Sequence, residues 1–208
     1  MAEYFRSVIA ERRKAPKEDL LSALIAAEER GEVLSEEELL ATCILLLAAG
    51  NETTTNLIGN GMLALLRHHD QLEKLRTDPS LTEPAVEEFL RYDGPVQGTG
   101  RVATEDIEVG GKVIEEGQLA FCMLAAADRD PAQFPNPDVL DTARQDNKHI
   151  AFGFGIHFCL GAPLARAEAQ IAFSTLLRRM PNLRLAAEQI EWGGTFILRG
   201  LKRLPIAW

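Results

Sequence analysis

The sequence is short of cysteine, short of basic charge and without a long apolar run, and each shortage excludes something. Three cysteines in 208 residues, Cys43, Cys122 and Cys159, are odd in number and carry no metal-type spacing to one another. They do not make a disulfide framework, and a reducing cytoplasm is the default compartment. Lysine and arginine total 22 against 31 acidic residues, a net charge of −9 with no basic stripe. That balance argues against nucleic acid as a partner. The longest apolar run, residues 39–49, contains Thr42 and is too short to span a bilayer. Residues 1–14 read as an amphipathic helix, with neither a signal h-region nor a membrane anchor. A soluble cytoplasmic protein with no membrane association is expected.

What is present has ordinary bulk. A hydrophobic content of 46% with 25% charged residues is usual for a globular chain, and 208 residues hold one sizeable core. Helical spacing runs from Tyr4 to Arg13 and from Leu20 to Arg30, with a break at Pro16. Ser35 followed three residues on by Glu38 is a capping box, opening a long helix over 35–68 that polar residues interrupt in its middle. Leu72 to Arg76 and residues 83–92 read as further helices, the second with Pro84 in its first turn. Over 101–124 the apolar positions roughly alternate, and Val109-Gly110-Gly111-Lys112 signals a hairpin turn. Residues 128–146 are rich in proline and turn formers and are expected to be irregular. A helix over 162–180 and β-hairpin material over 190–208, around Gly193-Gly194 and Arg199-Gly200, follow. The expected fold is mainly α with a minor antiparallel β portion, in a single domain over 1–208 whose first helices fill 1–34.

Residues 152–161, Phe-Gly-Phe-Gly-Ile-His-Phe-Cys-Leu-Gly, aim one cysteine at a partner. Gly153, Gly155 and Gly161 bracket Cys159, and glycine serves where a chain must take positive φ or come close to a flat partner. Phe152, Phe154 and Phe158 are expected to keep water away. A thiolate in a dry pocket, receiving N–H groups from a tight turn, is a soft, electron-rich metal ligand. The helix starting directly behind it places the sulfur near a positive helix end. The plainer reading is a small buried hydrophobe in a glycine loop. Cys43 and Cys122, in apolar helical and strand-like settings, are expected to be inert packing.

Two more clusters stand out. Ala49-Gly50-Asn51-Glu52-Thr53-Thr54 lies in the middle of the long helix, where glycine costs about 1 kcal/mol and threonine competes for backbone carbonyls. A break in the ladder is expected there, leaving a groove for a small molecule such as O2; a polar kink in a core helix is the alternative. Glu88 and Arg91 stand three apart on one helix face beside Val86, Phe89 and Leu90. Such pairs decorate many solvated helices and contribute only about 0.2–0.5 kcal/mol. His68 and His69, adjacent at a helix end, are expected to be solvated.

Together these motifs resemble the cytochrome P450 family. Residues 152–161 match its haem-ligand signature, Phe-x-x-Gly-x-x-x-Cys-x-Gly, at every fixed position. Residues 49–53 resemble its oxygen-activation motif, (Ala/Gly)-Gly-x-(Asp/Glu)-Thr, with Asn51 where similar bacterial chains often carry His. Residues 88–91 resemble its Glu-x-x-Arg element. The resemblance covers essentially the whole chain and is to bacterial soluble members of secondary metabolism. It implies a haem b (iron protoporphyrin IX) held by the Cys159 thiolate, with Phe152, Gly153, Gly161 and Ala49 against the cofactor. It offers Arg101, His149 and His157 as propionate partners; arginine suits bidentate carboxylate binding, while a lone histidine is as often an ordinary polar residue. It implies that Thr53 hydrogen-bonds dioxygen and that Glu52 relays protons from water. It makes Glu88, Arg91 and Arg144 a buried structural network, not a catalytic one. Leu46, Ala49, Pro95, Val96, Phe196 and Ile197 become substrate-contact positions, though each could equally be plain core, and their apolar character points to a hydrophobic organic substrate. The implied activity is monooxygenation with electrons from a ferredoxin or reductase.

The resemblance also implies a missing half, because family chains are close to twice this length and Met1 aligns just before the oxygen-binding helix. The other half would supply lid helices, much of the distal wall, part of the β lobe and a further propionate-binding basic residue. A piece of a longer protein, a misassigned start and a natural short form all stay open. A half-domain exposes apolar patches, which recruit a second copy or a complementing N-terminal fragment. Two rival readings stand beside the monooxygenase. One is a non-catalytic haem-binding fragment or interaction remnant; the other, peroxide-driven oxygenation, is disfavoured by Glu52 and Thr53.

Overall fold

Charged and hydroxyl side chains mark where the first helices begin and end. In the computed structural model, which describes residues 1–29 and 34–208, α1 is Ala2–Lys14. It carries Glu3 in its first turn and Arg12, Arg13 and Lys14 in its last, each charge opposite to the local helix dipole. α2 is Leu20–Glu29, and the predicted last residue of that helix, Arg30, lies outside the described residues. Between them Asp19 accepts from Arg12 Nε at 2.8 Å and from the Ser22 N–H at 2.8 Å, and these bonds hold its carboxyl at about 2. α3, Glu36–Arg67, opens with the expected capping box: the Glu38 N–H donates to Ser35 Oγ at 3.3 Å and the Ser35 N–H to Glu38 Oε2 at 2.8 Å.

α3 is unbroken through Gly50 and Thr54, which corrects the expected interruption of its ladder. The cost of one glycine is local, whereas each further residue of the helix still gains its own hydrogen bond.

α4 is His69–Thr77 and α5 is Thr82–Asp93. His68 is only half exposed: its Nδ1 lies 2.8 Å from the Ala64 carbonyl and its ring stands edge-on to Tyr92, so of the two adjacent histidines only His69 is solvated. Strands β1 (Thr99–Val102), β2 (Ile107–Val109), β3 (Lys112–Ile114) and β4 (Leu119–Cys122) follow. β2 pairs with β3 across Gly110–Gly111, and β1 pairs with β4, with Thr99 opposite Cys122. A short helix α6, Leu124–Ala127, leads into the irregular segment predicted over 128–146, and α7 is Ala162–Arg179. The last strands are β5 (Arg184–Leu185), β6 (Trp192–Gly194), β7 (Arg199–Leu201) and β8 (Ile206–Ala207), pairing β5 with β8 and β6 with β7. Among the described residues the fold is therefore mainly helical with small antiparallel sheets.

The chain divides into two compact units, Met1–Glu52 and Thr53–Trp208. The physical reason is two separate buried clusters. In the first unit Ile9, Ile25, Leu39 and Cys43 pack together, and burial pushes the Cys43 thiol up, in keeping with inert packing. In the second, Leu57, Leu65, Leu72, Val86, Phe89 and Phe173 belong to a larger core. There α3 passes the other helices at Gly61: a Cβ at that position would stand 2.7 Å from Phe173 and 3.0 Å from Phe89. Those two rings lie 4.7 Å apart, and Asn60 Nδ2 donates to the carbonyls of Asp93 and Arg199 at 3.0 and 3.2 Å.

Candidate functional site

A buried, densely hydrogen-bonded charge cluster surrounds α5. Val86, Phe89 and Leu90 bury one face of that helix and carry Glu88 and Arg91 in with them, at 0% and 1% exposure. A carboxylate and a guanidinium at that depth must be paired and fully hydrogen-bonded. Arg91 forks onto Glu88 with two bonds of 2.8 Å, and Arg144 Nε reaches the same carboxylate at 3.0 and 3.2 Å. Asn147 Nδ2 and the Asp141 N–H complete it, each at 3.0 Å. The remaining guanidinium nitrogens donate to carbonyls of the irregular segment: Arg91 to Asp128 and Pro137, and Arg144 to Pro135, Asn136 and Val139. The structure thus brings together the three residues singled out as a network.

Residues 150–162 then form the cysteine loop. Gly153 and Gly155 have φ of +74° and +72°, conformations that glycine takes at little cost. They let the chain fold back so that the Cys159 N–H donates to the Phe152 carbonyl at 3.0 Å, while the Ala162 N–H donates to the Cys159 carbonyl at 3.2 Å. Gly161, at φ −81°, is the N-cap of α7 and needs no special conformation; a Cβ there would meet Cys159 Sγ at 3.8 Å. Cys159 is exposed, at the positive end of an eighteen-residue helix. It is not a buried packing cysteine. The expected dry aromatic shell is corrected, however. Phe154 and Phe158 are 86% and 51% exposed, because the loop turns them outward, and only Phe152 is tucked against the core. Cys122, expected as packing, is exposed as well, since β4 covers only Ala120.

The three proposed propionate partners separate. Arg101 is exposed and uses one nitrogen locally, for Thr99 Oγ1 and the Gly100 carbonyl. His157 is exposed on the short turn Gly155–His157. His149 is reassigned: its side chain is 3% exposed and already engaged. Its Nδ1 accepts from the Ala151 N–H at 3.2 Å, which puts the proton on Nε2, and Nε2 donates to Glu87 at 3.0 Å. Arg166 Nε and Nη2 donate to the same carboxylate at 2.7 and 2.8 Å. Burial would raise the Glu87 carboxyl, but the bonds from His149 and Arg166 outweigh it and hold it at about 2.

The segments proposed to contact substrate in the second unit meet one another. The Gln97 N–H donates to the Ile197 carbonyl at 2.7 Å, the Arg199 N–H donates to that of Pro95 at 2.8 Å, and Val96 bridges to Leu198. Phe196, 70% exposed, stands edge-on to Phe121 at 5.6 Å. In the first unit Leu46, Ala49 and Glu52 are exposed, while Thr53, which begins the second, is half-buried. Among the described residues no group of three His, Cys, Asp or Glu side chains could hold a metal ion, and no helix is long and apolar enough to cross a membrane.

A sequence model of the cytochrome P450 family matches residues 1–182. The chain belongs to the cytochrome P450 family. It is 51% identical to cytochrome P450 107B1 of Saccharopolyspora erythraea, over 99% of this chain and 52% of that protein. A cytochrome P450 of Bacillus subtilis is 50% identical over 99% of this chain and 51% of its own length. Among solved structures, that of P450BioI in complex with a hexadec-9Z-enoic acid-ligated acyl carrier protein superposes with a TM-score of 0.95 at 49% identity, covering all of this chain and 53% of that one. The chain therefore spans about half the length of the P450s it matches. The P450 family implies a haem cofactor.

Sequence reasoning missed three residues that hold the surroundings of the cysteine loop. Glu87 and Arg166 lie 79 positions apart, and nothing local signals their pairing. Asp128, 2% exposed, accepts the Ile150 N–H at 2.7 Å and fixes the entry to the cysteine loop; burial raises its carboxyl. A buried acid among turn formers looks, in sequence, like one more turn residue.

Proposed function

We propose that this chain is the haem-binding part of a monooxygenase, in which the Cys159 thiolate holds a haem b. The observation that carries the reading is an exposed sulfur on a backbone-locked loop at a helix N-terminus. Its surroundings suit a flat, mostly apolar macrocycle: Phe158 and Leu160 are exposed beside it, and Gly161 presents no side chain. Arg101 and His157, both exposed, are the candidate propionate partners. When bound, haem supplies an iron, made electron-rich by the thiolate, at which O2 is cleaved with two electrons and two protons.

The chain's own part is binding, orientation and proton supply. Thr53, half-buried on α3, offers a hydroxyl as hydrogen-bond donor to dioxygen, and exposed Glu52 beside it exchanges protons with water. Electrons come from a ferredoxin or a reductase. Phe121, Phe196, Val96 and Ile197 offer apolar contact to a hydrophobic organic substrate. The fatty acyl chain in the P450BioI complex, presented there on a carrier protein, has that character.

The test is the optical spectrum of the reduced, CO-treated chain after loading with haemin. A thiolate-type spectrum that Cys159→Ser abolishes, and that Cys43→Ser and Cys122→Ser retain, is expected. Retention of that spectrum by Cys159→Ser would overturn the assignment.

A further inference from the structure

One carboxylate takes donors from either side of the cysteine loop. Glu87 accepts from His149 Nε2 just before the loop, at 3.0 Å, and from Arg166 just after it, at 2.7 and 2.8 Å. The Arg166 guanidinium lies 4.6 Å from the centre of the Phe152 ring, and the Phe152 carbonyl accepts the Cys159 N–H at 3.0 Å. Contacts thus run without a gap from Glu87 through Arg166 and Phe152 to the backbone of the cysteine. His149 approaches the same ring at 6.2 Å, and Phe158 at 6.3 Å. A bidentate guanidinium–carboxylate pair fixes orientation as well as distance, which a single point charge does not.

We infer that Glu87 is a positioning residue for the thiolate: it clamps His149 to Arg166 across the loop and thereby sets where the Cys159 sulfur points. The adjacent Glu88 has a different task, because its partners lie at 91, 141, 144 and 147, all outside the loop. Glu87 suits the clamp because it stays ionised: the bonds of His149 and Arg166 keep its carboxyl at about 2 against the opposing effect of burial. The role of the sulfur rests on the haem-thiolate reading, whereas the clamp itself can be tested without haem.

The experiment compares the 208-residue chain with its Glu87→Gln and Arg166→Lys variants. Arg166→Lys keeps the charge but loses the planar fork. In the haem-free proteins, amide hydrogen exchange reads the Cys159 N–H against the core amides of Leu65 and Leu90. The clamp predicts that Cys159 exchanges as an unprotected amide in both variants, while the two core amides keep protection of roughly a hundredfold or more. A Glu87 that only stabilises the fold would lower all three by one common factor, and that result overturns the inference. Arg166→Lys carries the comparison alone should Glu87→Gln fail to fold. In the haemin-loaded proteins, the thiolate-type CO band per haem is expected to fall in the folded fraction of each variant; an unchanged band per haem also overturns the inference. If the unsubstituted chain shows no thiolate-type band, the function reading fails, and the exchange result still decides the clamp.

Discussion

Glu88 and Cys159 sit at opposite extremes of the same unit. The Glu88 carboxylate is fully buried and takes donors from Arg91, Arg144, Asn147 and the Asp141 backbone. Cys159 has its backbone N–H and carbonyl tied, but its sulfur faces outward among exposed Phe158 and Leu160. The first region is complete within its own chain. In the second, the backbone is fixed and the side chains are presented. The contrast separates two meanings of an ordered site: one spends its hydrogen-bonding capacity on itself, the other holds a reactive group ready for something else. Glu87 and Arg166 connect them, since their pairing couples α5, which carries the first, to α7, which starts directly behind the loop of the second.

The sharpest way to break this contrast is at Glu88. Removing one partner of a buried ion pair costs about 3–5 kcal/mol, because the other charges are left without a counter-ion. Glu88→Ala is therefore expected to yield little folded protein, as read by urea denaturation and by soluble yield. A melting temperature equal to that of the unsubstituted chain would place the pair among solvated helix decorations despite its burial.

Glu87 gives the next largest effect, with a pH signature. Its folded carboxyl lies at about 2 against an ordinary 4.5, so its contribution is fully present above 4.5 and is lost as the pH falls from there through about 2. The size at neutral pH is at most on the order of 3 kcal/mol. Urea midpoints of the chain and of Glu87→Gln should differ most at pH 6–7, and the gap should narrow steadily below about 4.5. A gap that stays constant down to pH 3 would contradict the ionic role.

Cys159 should show the reverse of Glu88. Its sulfur buries nothing in this chain, so Cys159→Ser is expected to change stability by no more than about 0.5 kcal/mol. A loss of several kcal/mol in the haem-free protein would mean that the sulfur is a packing element after all.

From the residues alone, the legible parts of this molecule were those whose partners are close in sequence; the distant Arg144–Glu88 contact was legible only through the family resemblance. Ser35 and Glu38 cap α3 as read, whereas the spacing of Glu88 and Arg91 equally suited a solvated pair, and only the family resemblance pointed to the burial they have. Gly153 and Gly155 announced a backbone turn that the structure has. What stayed hidden depends on distant partners. His149 was read as a cofactor contact because Glu87, 62 positions away, left no local mark. The β-hairpin read around Gly193-Gly194 and Arg199-Gly200 is the β6–β7 pair, with its turn at Thr195 to Leu198, but why Gly200 is a glycine was not legible. Gly200 is there because Asn56 of α3 leaves no room for a Cβ. Phe154 was read as a water shield, but an aromatic side chain excludes water only where something covers it, and residue type does not say what does.

The smallest effect on the fold is expected at Thr53, where the contrast can be sharpened on the chemical side alone. Thr53 lies within an unbroken helix, and alanine has the higher helix propensity by about 0.5 kcal/mol, which offsets what a half-buried hydroxyl contributes. Thr53→Ala should therefore melt within a few degrees of the unsubstituted chain and take up haemin equally well. Its consequence should lie in the fate of electrons. The hydroxyl is proposed to hold dioxygen while Glu52 supplies protons, so its loss should divert reducing equivalents from product into peroxide. With a surrogate ferredoxin and reductase, NADPH consumption, peroxide and oxygenated product are measured together. The unsubstituted 208-residue chain should itself couple poorly, because Cys159 and its neighbours are open to water and oxygen activation requires a dry site. Against that baseline, Thr53→Ala should raise peroxide per NADPH further without changing the CO spectrum. An unchanged peroxide yield would remove Thr53 from the oxygen chemistry, and a lost CO spectrum would show that it serves the haem site instead.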